Sequence, residues 1–510
     1  MFKAHGFRNL VPVINAFSFS TPRSFLQDDA ALKAELQSCA TNLKTYERKD
    51  FSIGHRGACL QYPEHTLESY AAAIVQGAGI VECDVTFTKD RQLVCRHAQC
   101  DLHTTTNVLS IPALAAKCTR NWTGPSPNPS PLCCTTDFTL AELKQLCAKM
   151  DAANSAATTV AGYLDATARF RTDANAYECP RIPTHRESID LIRAGGGKFT
   201  PELKSPEVPM PYQGNYTQQM YAQQMINDYI AAGVPPSNVW PQSFNEADVY
   251  YWVANTTYGN QAVALDPNDG NAGNQAAISA YLDRLVANKV KIVAPPTWRL
   301  VEPDSPGGKL GMKPSFYALA AKARGLGIIS WTLERSGNLR VGGGGYYYDT
   351  ELEPGGIGDN NGDVYVLLDT LYREVGVIGV FSDWPATVTF YSNCVEQCRP
   401  RYTLFNAAND TSFAVLKYGA TLPCIPASVN IRVEFPCETT VTGPVTLRLF
   451  NAANTKIHER VEGVAPYYLY GDKGTDVLGS GMPAGSYSIS SFANGKPTNP
   501  FFFNVGGTCP

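Results

Sequence analysis

The 510-residue sequence predicts an α/β chain: a TIM-type (β/α)8 barrel with an insertion after its second strand, followed by an all-β sandwich. Three observations carry the prediction. Eight short apolar runs recur at 51–55, 80–87, 198–203, 238–244, 262–265, 290–294, 327–333 and 377–382. Helix-compatible stretches such as 216–232, 276–288 and 313–324 lie between most of them, the alternation that a parallel barrel needs. After Cys398 the texture changes to short alternating runs (Val429–Phe435, Val445–Phe450, Tyr487–Phe492) between Gly, Pro and Asn turns, the pattern of a sandwich. The expected organisation is an extension over 1–48, a barrel over 49–396 with its insertion at about 98–197, and an accessory module over 401–510.

Composition narrows the function. A formal net charge of −4 gives no basic surface for nucleic acid. No apolar run reaches the roughly 18 residues that cross a bilayer. The 15 cysteines form no paired C-x-x-C zinc pattern and read as a disulfide framework made in an oxidising compartment. Being odd in number, they leave at least one thiol unpaired within the chain. Cys59 and Cys83 are expected as small buried apolar residues, and Cys394 or Cys398 as partners of Cys424, Cys437 or Cys509. Four N-x-T sequons, at Asn121, Asn215, Asn255 and Asn409, agree with secretion. The first 20 residues are basic but broken by Pro12 and Asn15, and read as an imperfect secretory signal or as a transit peptide. Cysteines and sequons together favour a secreted protein.

In chain order, residues 28–48 read as a helix with Leu32, Leu36 and Leu43 on one side, placed under the barrel or outside it. The first strand ends in Gly54-His55-Arg56-Gly57. A helix-like run from Glu64 to Gln76 follows, and then Ile80–Phe87 carries Glu82 and Asp84. Side chains alternate along a strand, so these two acids share a face, roughly 7 Å apart. Ile80, Val81, Val85 and Phe87 mark the strand as buried, and a buried carboxylate pair calls for a cation between its members. Val94–His97 adds a second histidine. The hundred residues that follow are too many for a plain βα loop; their cysteines and Pro/Ser-rich Gly124–Pro131 suggest a disulfide-stapled insertion over the site mouth. Residues 335–363, rich in Gly and Tyr, are expected as a surface loop or a lid, and Asp266–Gly270 as a turn. His103 and His185 are expected as surface or insertion residues.

The segments His55-Arg56-Gly57, Pro63-Glu64-His65-Thr66, Glu82-Cys83-Asp84-Val85, Thr88-Lys89-Asp90 and Val94-Cys95-Arg96-His97 resemble, in order and spacing, the glycerophosphodiester phosphodiesterases. Further along, Glu202-Leu203-Lys204 resembles the family's E-x-K, Trp331-Thr332-Leu333-Glu334 its W-T-x-N, and Ser382-Asp383-Trp384-Pro385 its last-strand T-D-x-P. The chain departs from the pattern at His65 (Asn in the family), Gly79 (Asp), Ala98 (Asp) and Glu334 (Asn). Asp101 is the expected substitute for the acid missing at Ala98.

The resemblance implies metal-dependent hydrolysis of a small glycerophosphodiester to glycerol 3-phosphate and an alcohol. Glu82, Asp84 and Glu202 would hold one divalent cation, Mg2+ or Ca2+, with Glu64 a fourth acid nearby. His55 and His97 would act as an acid–base pair. Arg56 and Lys204 would hold the phosphate, Trp331 would line the glycerol side, and Asp383 would cap the next helix. Two rivals are a lyase of the toxin phospholipase D type, releasing cyclic phosphate, and an inactive barrel carrying a glycan-binding sandwich. For the C-terminal module a glycan or cell-wall contact is the expected partner, and its Tyr467, Tyr468 and Tyr470 read as core and rim packing before a sugar platform.

Overall fold

The computed structural model describes residues 30–43, 45–172, 179–266, 273–303, 312–337, 339 and 360–398, and the strand backbones between 401 and 505. The expected N-terminal targeting segment, most of the 335–363 loop and all but Asp266 of the expected turn lie outside the described residues. Two compact units form: residues 1–33 with 45–393, and residues 34–44 with 394–510. Among the described residues no helix is long and apolar enough to cross a membrane.

The first unit is built on β1 (Lys49–Gly54), β2 (Ala78–Phe87), β3 (Leu93–Cys95), β4 (Lys198–Leu203), β5 (Gln242–Ser243), β6 (Val263–Leu265), β7 (Ile292–Ala294), the hairpin β8 (Val301–Pro303) and β9 (Met312–Pro314), β10 (Gly327–Leu333) and β11 (Gly379–Ser382). The sheet runs β1-β11-β10-β7-β6-β5-β4-β2, all neighbours parallel, and closes through β1–β2. This is the eight-stranded barrel the sequence predicts; β3 adds antiparallel to the edge of β2. Each of the eight expected runs contains its strand, trimmed or extended by a few residues at the ends.

Period-two alternation explains both the core and the site. Ile53, Ile80, Val263, Leu265, Ile292, Ala294, Ile329 and Phe381 share one buried cluster inside the barrel. Two residues on from several of these the side chain is polar: His55 after Ile53, Glu82 after Ile80, Asp383 after Phe381. The apolar layer therefore becomes the floor of a polar chamber at the carboxyl ends of the strands.

The helix of residues 67–75 starts where Thr66 caps it, its hydroxyl accepting from the Ser69 N–H at 3.1 Å, and buries Tyr70, Ala73 and Ile74. The insertion has a core of its own, including Val94, Leu102, Leu109, Phe138, Leu146 and Tyr163. It is stapled by Cys100–Cys134, Cys118–Cys133 and Cys147–Cys179. It ends earlier than expected, because residues 185–194 form a barrel helix between β2 and β4. His185 on that helix is a buried structural residue rather than a surface one, bonded to Asp228 at 2.9 Å and to the Tyr229 hydroxyl at 3.2 Å. Cys83, expected as a free apolar side chain, is bonded to Cys95; Cys59 is the free thiol among the described residues.

In the second unit, strands β12 (Arg401–Asn406), β13 (Thr411–Val415), β14 (Thr421–Leu422), β15 (Val429–Glu434), β16 (Val445–Asn451), β17 (Lys456–Glu462), β18 (Tyr467–Tyr470), β19 (Gly485–Ala493), β20 (Lys496–Pro497) and β21 (Phe501–Val505) form two sheets. One runs β13-β12-β15-β18 and the other β14-β21-β19-β16-β17. The repeated Leu-Phe-Asn closes one arm of a hairpin each time, β12–β13 and β16–β17. The unit also takes in part of the helix Ala30–Asn42, because Cys394 pairs with Cys39 and not with the C-terminal cysteines. Cys424, Cys437 and Cys509, like the side chains of Cys398, Tyr467, Tyr468 and Tyr470, lie outside the described residues.

Gly79 shows why one family position differs. A Cβ there would lie 2.5 Å from the backbone of Lys49 and Asp50, where the β1–β2 register shifts. The family's Asp does not fit unless β1 moves away. Gly79→Ala is expected to destabilise the fold by about 1–3 kcal/mol, the cost of an overpacked core position; urea unfolding measures it, and an unchanged midpoint would contradict the packing described.

Candidate active site

The His-Arg-Gly turn is a locked corner. Arg56 (φ 55°) and Gly57 (φ 95°) are both left-handed, and a Cβ on Gly57 would sit 2.3 Å from the Ser69 hydroxyl. That hydroxyl donates to the Arg56 carbonyl at 3.0 Å, and the His65 N–H donates to the same carbonyl at 3.1 Å. The Arg56 N–H is thereby turned inward and donates to the Glu82 carboxylate at 2.9 Å. Backbone geometry at the end of β1 thus fixes a carboxylate on β2.

A cavity opens over these residues. Its polar side is made by His55, Arg56, Glu82, Asp84, His97, Glu202, Lys204 and Gln242, and its apolar side by Phe244, Leu265, Trp331 and Phe381. Every expected site residue except Glu64 lines it. Glu82, Asp84 and Glu202 are buried, with one oxygen from each lying within 4.8 Å of the others. Gln242 donates to Glu82 at 2.9 Å, His65 reaches Asp84 at 2.8 Å and Lys204 pairs with Glu202 at 2.7 Å. The other Asp84 oxygen, Oδ1, is buried without a hydrogen-bond partner. Three crowded carboxylates and a bare oxygen fit a hard cation that takes oxygen ligands.

The protonation of these groups follows from the crowding. Burial, then the charges of Asp84 and Glu202, push Glu82 well above the usual carboxylate range. Burial, opposed by Lys204 and aided by Asp84, raises Glu202 to about 7. Burial also acts on Asp84, but Lys204 and His65 outweigh it and hold Asp84 well below its ordinary value. The buried His65 imidazole is lowered to about 4 and is neutral at physiological pH. It is suspended between Asp84 and the Tyr70 hydroxyl, 3.0 Å away. The residue that replaces the family's Asn therefore orients an acid of the cluster.

His55 carries a partner that the sequence reading placed elsewhere. Its Nδ1 lies 2.5 Å from Asp383 Oδ1, and its Nε2 is 3.8 Å from Glu82 Oε2. Asp383, read as a helix cap, is instead the carboxylate that holds this imidazole. Its place at the end of β11, two residues beyond the core residue Phe381, was the available signal. Burial lowers His55, against Asp383. The half-buried His97 is held well below its usual range by burial and then by Arg56 and Lys204. Asp101, the expected substitute beside His97, accepts instead from the Ala98 N–H at 3.1 Å.

Glu64 is placed away from the acid cluster. Its carboxylate takes Arg171 at 2.8 Å, Arg335 at 3.0 Å and the Asp151 N–H at 3.1 Å, so its charge is already compensated. Trp331 stands at the cavity wall, its indole N–H donating to the Ala294 carbonyl at 2.8 Å and its ring edge-on to Phe244 at 5.8 Å. Glu334 turns away to accept from Ser382 at 2.6 Å.

A closed parallel barrel with acids, histidines and cations gathered at its carboxyl-end mouth defines a hydrolytic enzyme of phosphate esters. The profile of the glycerophosphoryl diester phosphodiesterase family matches residues 55–387, and the chain belongs to that family. It is a glycerophosphodiester phosphodiesterase. An Arthroderma benhamiae protein named "Extracellular protein" is 42% identical over 247 residues, 48% of this chain and 99% of that one. An Arabidopsis thaliana glycerophosphodiester phosphodiesterase is 24% identical over 365 residues, 69% of this chain and 88% of that one. Among solved structures, an Oleispira antarctica phosphodiesterase in complex with the product sn-glycerol-3-phosphate aligns at 19% identity and a TM-score of 0.39, covering 67% of this chain and 96% of that one.

A cation entering the cluster displaces protons from Glu82 and Glu202. Its apparent affinity should therefore climb between about pH 5 and pH 8; calorimetry in buffers of different ionisation heats counts the protons released, and a pH-independent affinity would contradict it. Without the cation the sign for stability is the reverse. Glu202 rises from its ordinary 4.5 to about 7 on folding, so its contribution is full below about 4.5 and is lost as pH rises through about 7. Added cation should raise the melting temperature more at pH 8 than at pH 5.

Proposed function

We propose that the enzyme is a secreted, divalent-metal-dependent hydrolase that cleaves glycerophosphodiesters to glycerol 3-phosphate and an alcohol by an acid–base pair, His55 and His97. The observation that supports this best is the His55 imidazole, held by Asp383 on one nitrogen with the other free beside the acid cluster. Glu82, Asp84 and Glu202 would hold one Mg2+ or Ca2+, which when bound supplies positive charge against a phosphate oxygen. Exposed sequon residues Asn121, Asn215 and Asn255, with five disulfides among the described residues, support an oxidising, glycosylating compartment.

The chemistry for the chain's own residues follows. Arg56 and Lys204 bind the phosphodiester oxygens, and the apolar wall with Trp331 takes the glycerol carbons. The glycerol hydroxyl next to the ester is the nearest nucleophile, and intramolecular attack gains a large effective molarity. His55 takes its proton as the new O–P bond forms, and Asp383 stabilises the imidazolium. His97 gives a proton to the departing alcohol oxygen as the old P–O bond breaks. The substrate's negative charge offsets Arg56 and Lys204, the two cations that lower His97, and so brings its pKa back toward the ordinary range. Water then opens the cyclic phosphate with the two histidines in exchanged roles. The C-terminal β unit, which carries none of these residues, is an accessory module in this reading.

Glu82→Gln or Asp84→Asn is expected to lower turnover by at least about a hundredfold with the fold kept, and chelation to do so reversibly; full activity after exhaustive chelation would refute the metal requirement. Phosphorus NMR during turnover should show glycerol 3-phosphate accumulating with any cyclic phosphate transient. A cyclic product that persists would mean a lyase.

A further inference from the structure

The insertion reaches the catalytic histidine through a chain of charges. Arg171, in the insertion, pairs with Glu64 at 2.8 Å; Glu64 pairs with Arg335 at 3.0 Å; Arg335 reaches Asp383 Oδ2 at 3.3 Å; and Asp383 Oδ1 holds His55 Nδ1 at 2.5 Å. All five side chains are buried or nearly so, with Arg335 the most open at 16% exposure and Glu64 at 2%. We propose that Arg335 is a positioning residue: by engaging the second oxygen of Asp383 it fixes the carboxylate that holds the His55 ring, and the insertion's Arg171 keeps Arg335 in place by sharing Glu64.

The physical case rests on geometry. A carboxylate with one oxygen on an imidazole can still rotate about its χ angles; binding the other oxygen removes that freedom. Arg335 stands two residues beyond the end of β10 and Asp383 one residue beyond β11, so the ends of two neighbouring strands bring them together. Arg335 alone would place a full charge against Cys59, 3.5 Å away, and an apolar floor. Glu64 supplies the compensating negative charge, and Arg171, which also donates to the Cys59 carbonyl at 3.1 Å, completes the balance. The barrel reads as incomplete without the insertion: a residue more than a hundred positions from His55 in sequence belongs to the set that orients it. Arg171, Glu64, Arg335 and Asp383 are not among the residues that line the cavity, so their effect is on the histidine's orientation and not on substrate affinity.

This inference rests on His55 being catalytic, and the test separates the two. In the full-length enzyme with its metal, Arg335→Ala is expected to lower kcat by about 10–100-fold with KM changed less than about twofold, the usual size of an outer-shell loss. Millimolar guanidinium should restore at least several-fold of the lost kcat, and Arg335→Lys should retain more activity than Arg335→Ala. Arg171→Ala should give a smaller loss of the same kind. If Arg335→Ala does not fold, the charge-balanced pair Glu64→Gln with Arg335→Met keeps the volume, and it should show the same kcat loss. A folded Arg335 variant with kcat within twofold of wild type, or a loss carried by KM and untouched by guanidinium, overturns the proposal. Should Asp383→Asn and His55→Ala also leave kcat unchanged, the proposed function itself fails, a distinct outcome.

Discussion

Three carboxylates forced together at the mouth of a closed barrel are the constraint on which this structure turns. Glu82, Asp84 and Glu202 are buried within 4.8 Å of one another, an arrangement whose mutual repulsion is large wherever water is excluded. The surrounding structure answers it residue by residue. Lys204 and the Arg56 N–H each meet one acid, Gln242 and His65 brace two more oxygens, and burial with crowding pushes Glu82 and Glu202 above the usual carboxylate range. Such a cluster is stable enough to fold and unsatisfied enough to bind a cation, the balance that a catalytic centre needs.

Much of this was legible in the sequence because both signals have a period of two. An apolar run with acids at alternate positions states at once that a strand is buried and that its inner face is charged, as Ile80, Glu82 and Asp84 do. The same logic put Glu202 and Lys204 on one face at the end of β4, while the eight barrel strands were legible as apolar runs alternating with helix-compatible stretches. What was not legible depends on long-range meeting. Asp383 is 328 residues from His55, and nothing local distinguishes an acid that caps a helix from one that holds an imidazole. Glu64 sits in a motif beside the acids, yet its partners are Arg171 and Arg335, which no spacing rule connects to it. Disulfide pairing was equally hidden: Cys83 lies between two acids and pairs with Cys95, and Cys394 pairs backward with Cys39.

The insertion belongs to the site as well as decorating it. Its three internal disulfides and a hydrophobic cluster staple it together, and Arg171 ties it to Glu64. The family's departures have the same local logic. His65 replaces a shorter polar side chain and fills the space between Asp84 and Tyr70; Gly79 is small because β1 passes within 2.5 Å of where its Cβ would stand.

Barrel closure through β1 and β11 has a consequence for how the enzyme comes into being. All three carboxylates exist once the chain has been made through Leu203, but the partner of His55 is Asp383, 180 residues later (383 − 203). At about 5–20 residues per second, translation leaves the nascent acid cluster without an oriented histidine for on the order of ten to forty seconds. The last barrel strand to be synthesised is thus followed at once by the carboxylate that holds the histidine at the end of the first, and a chain released before it carries the acids but not the aligned imidazole.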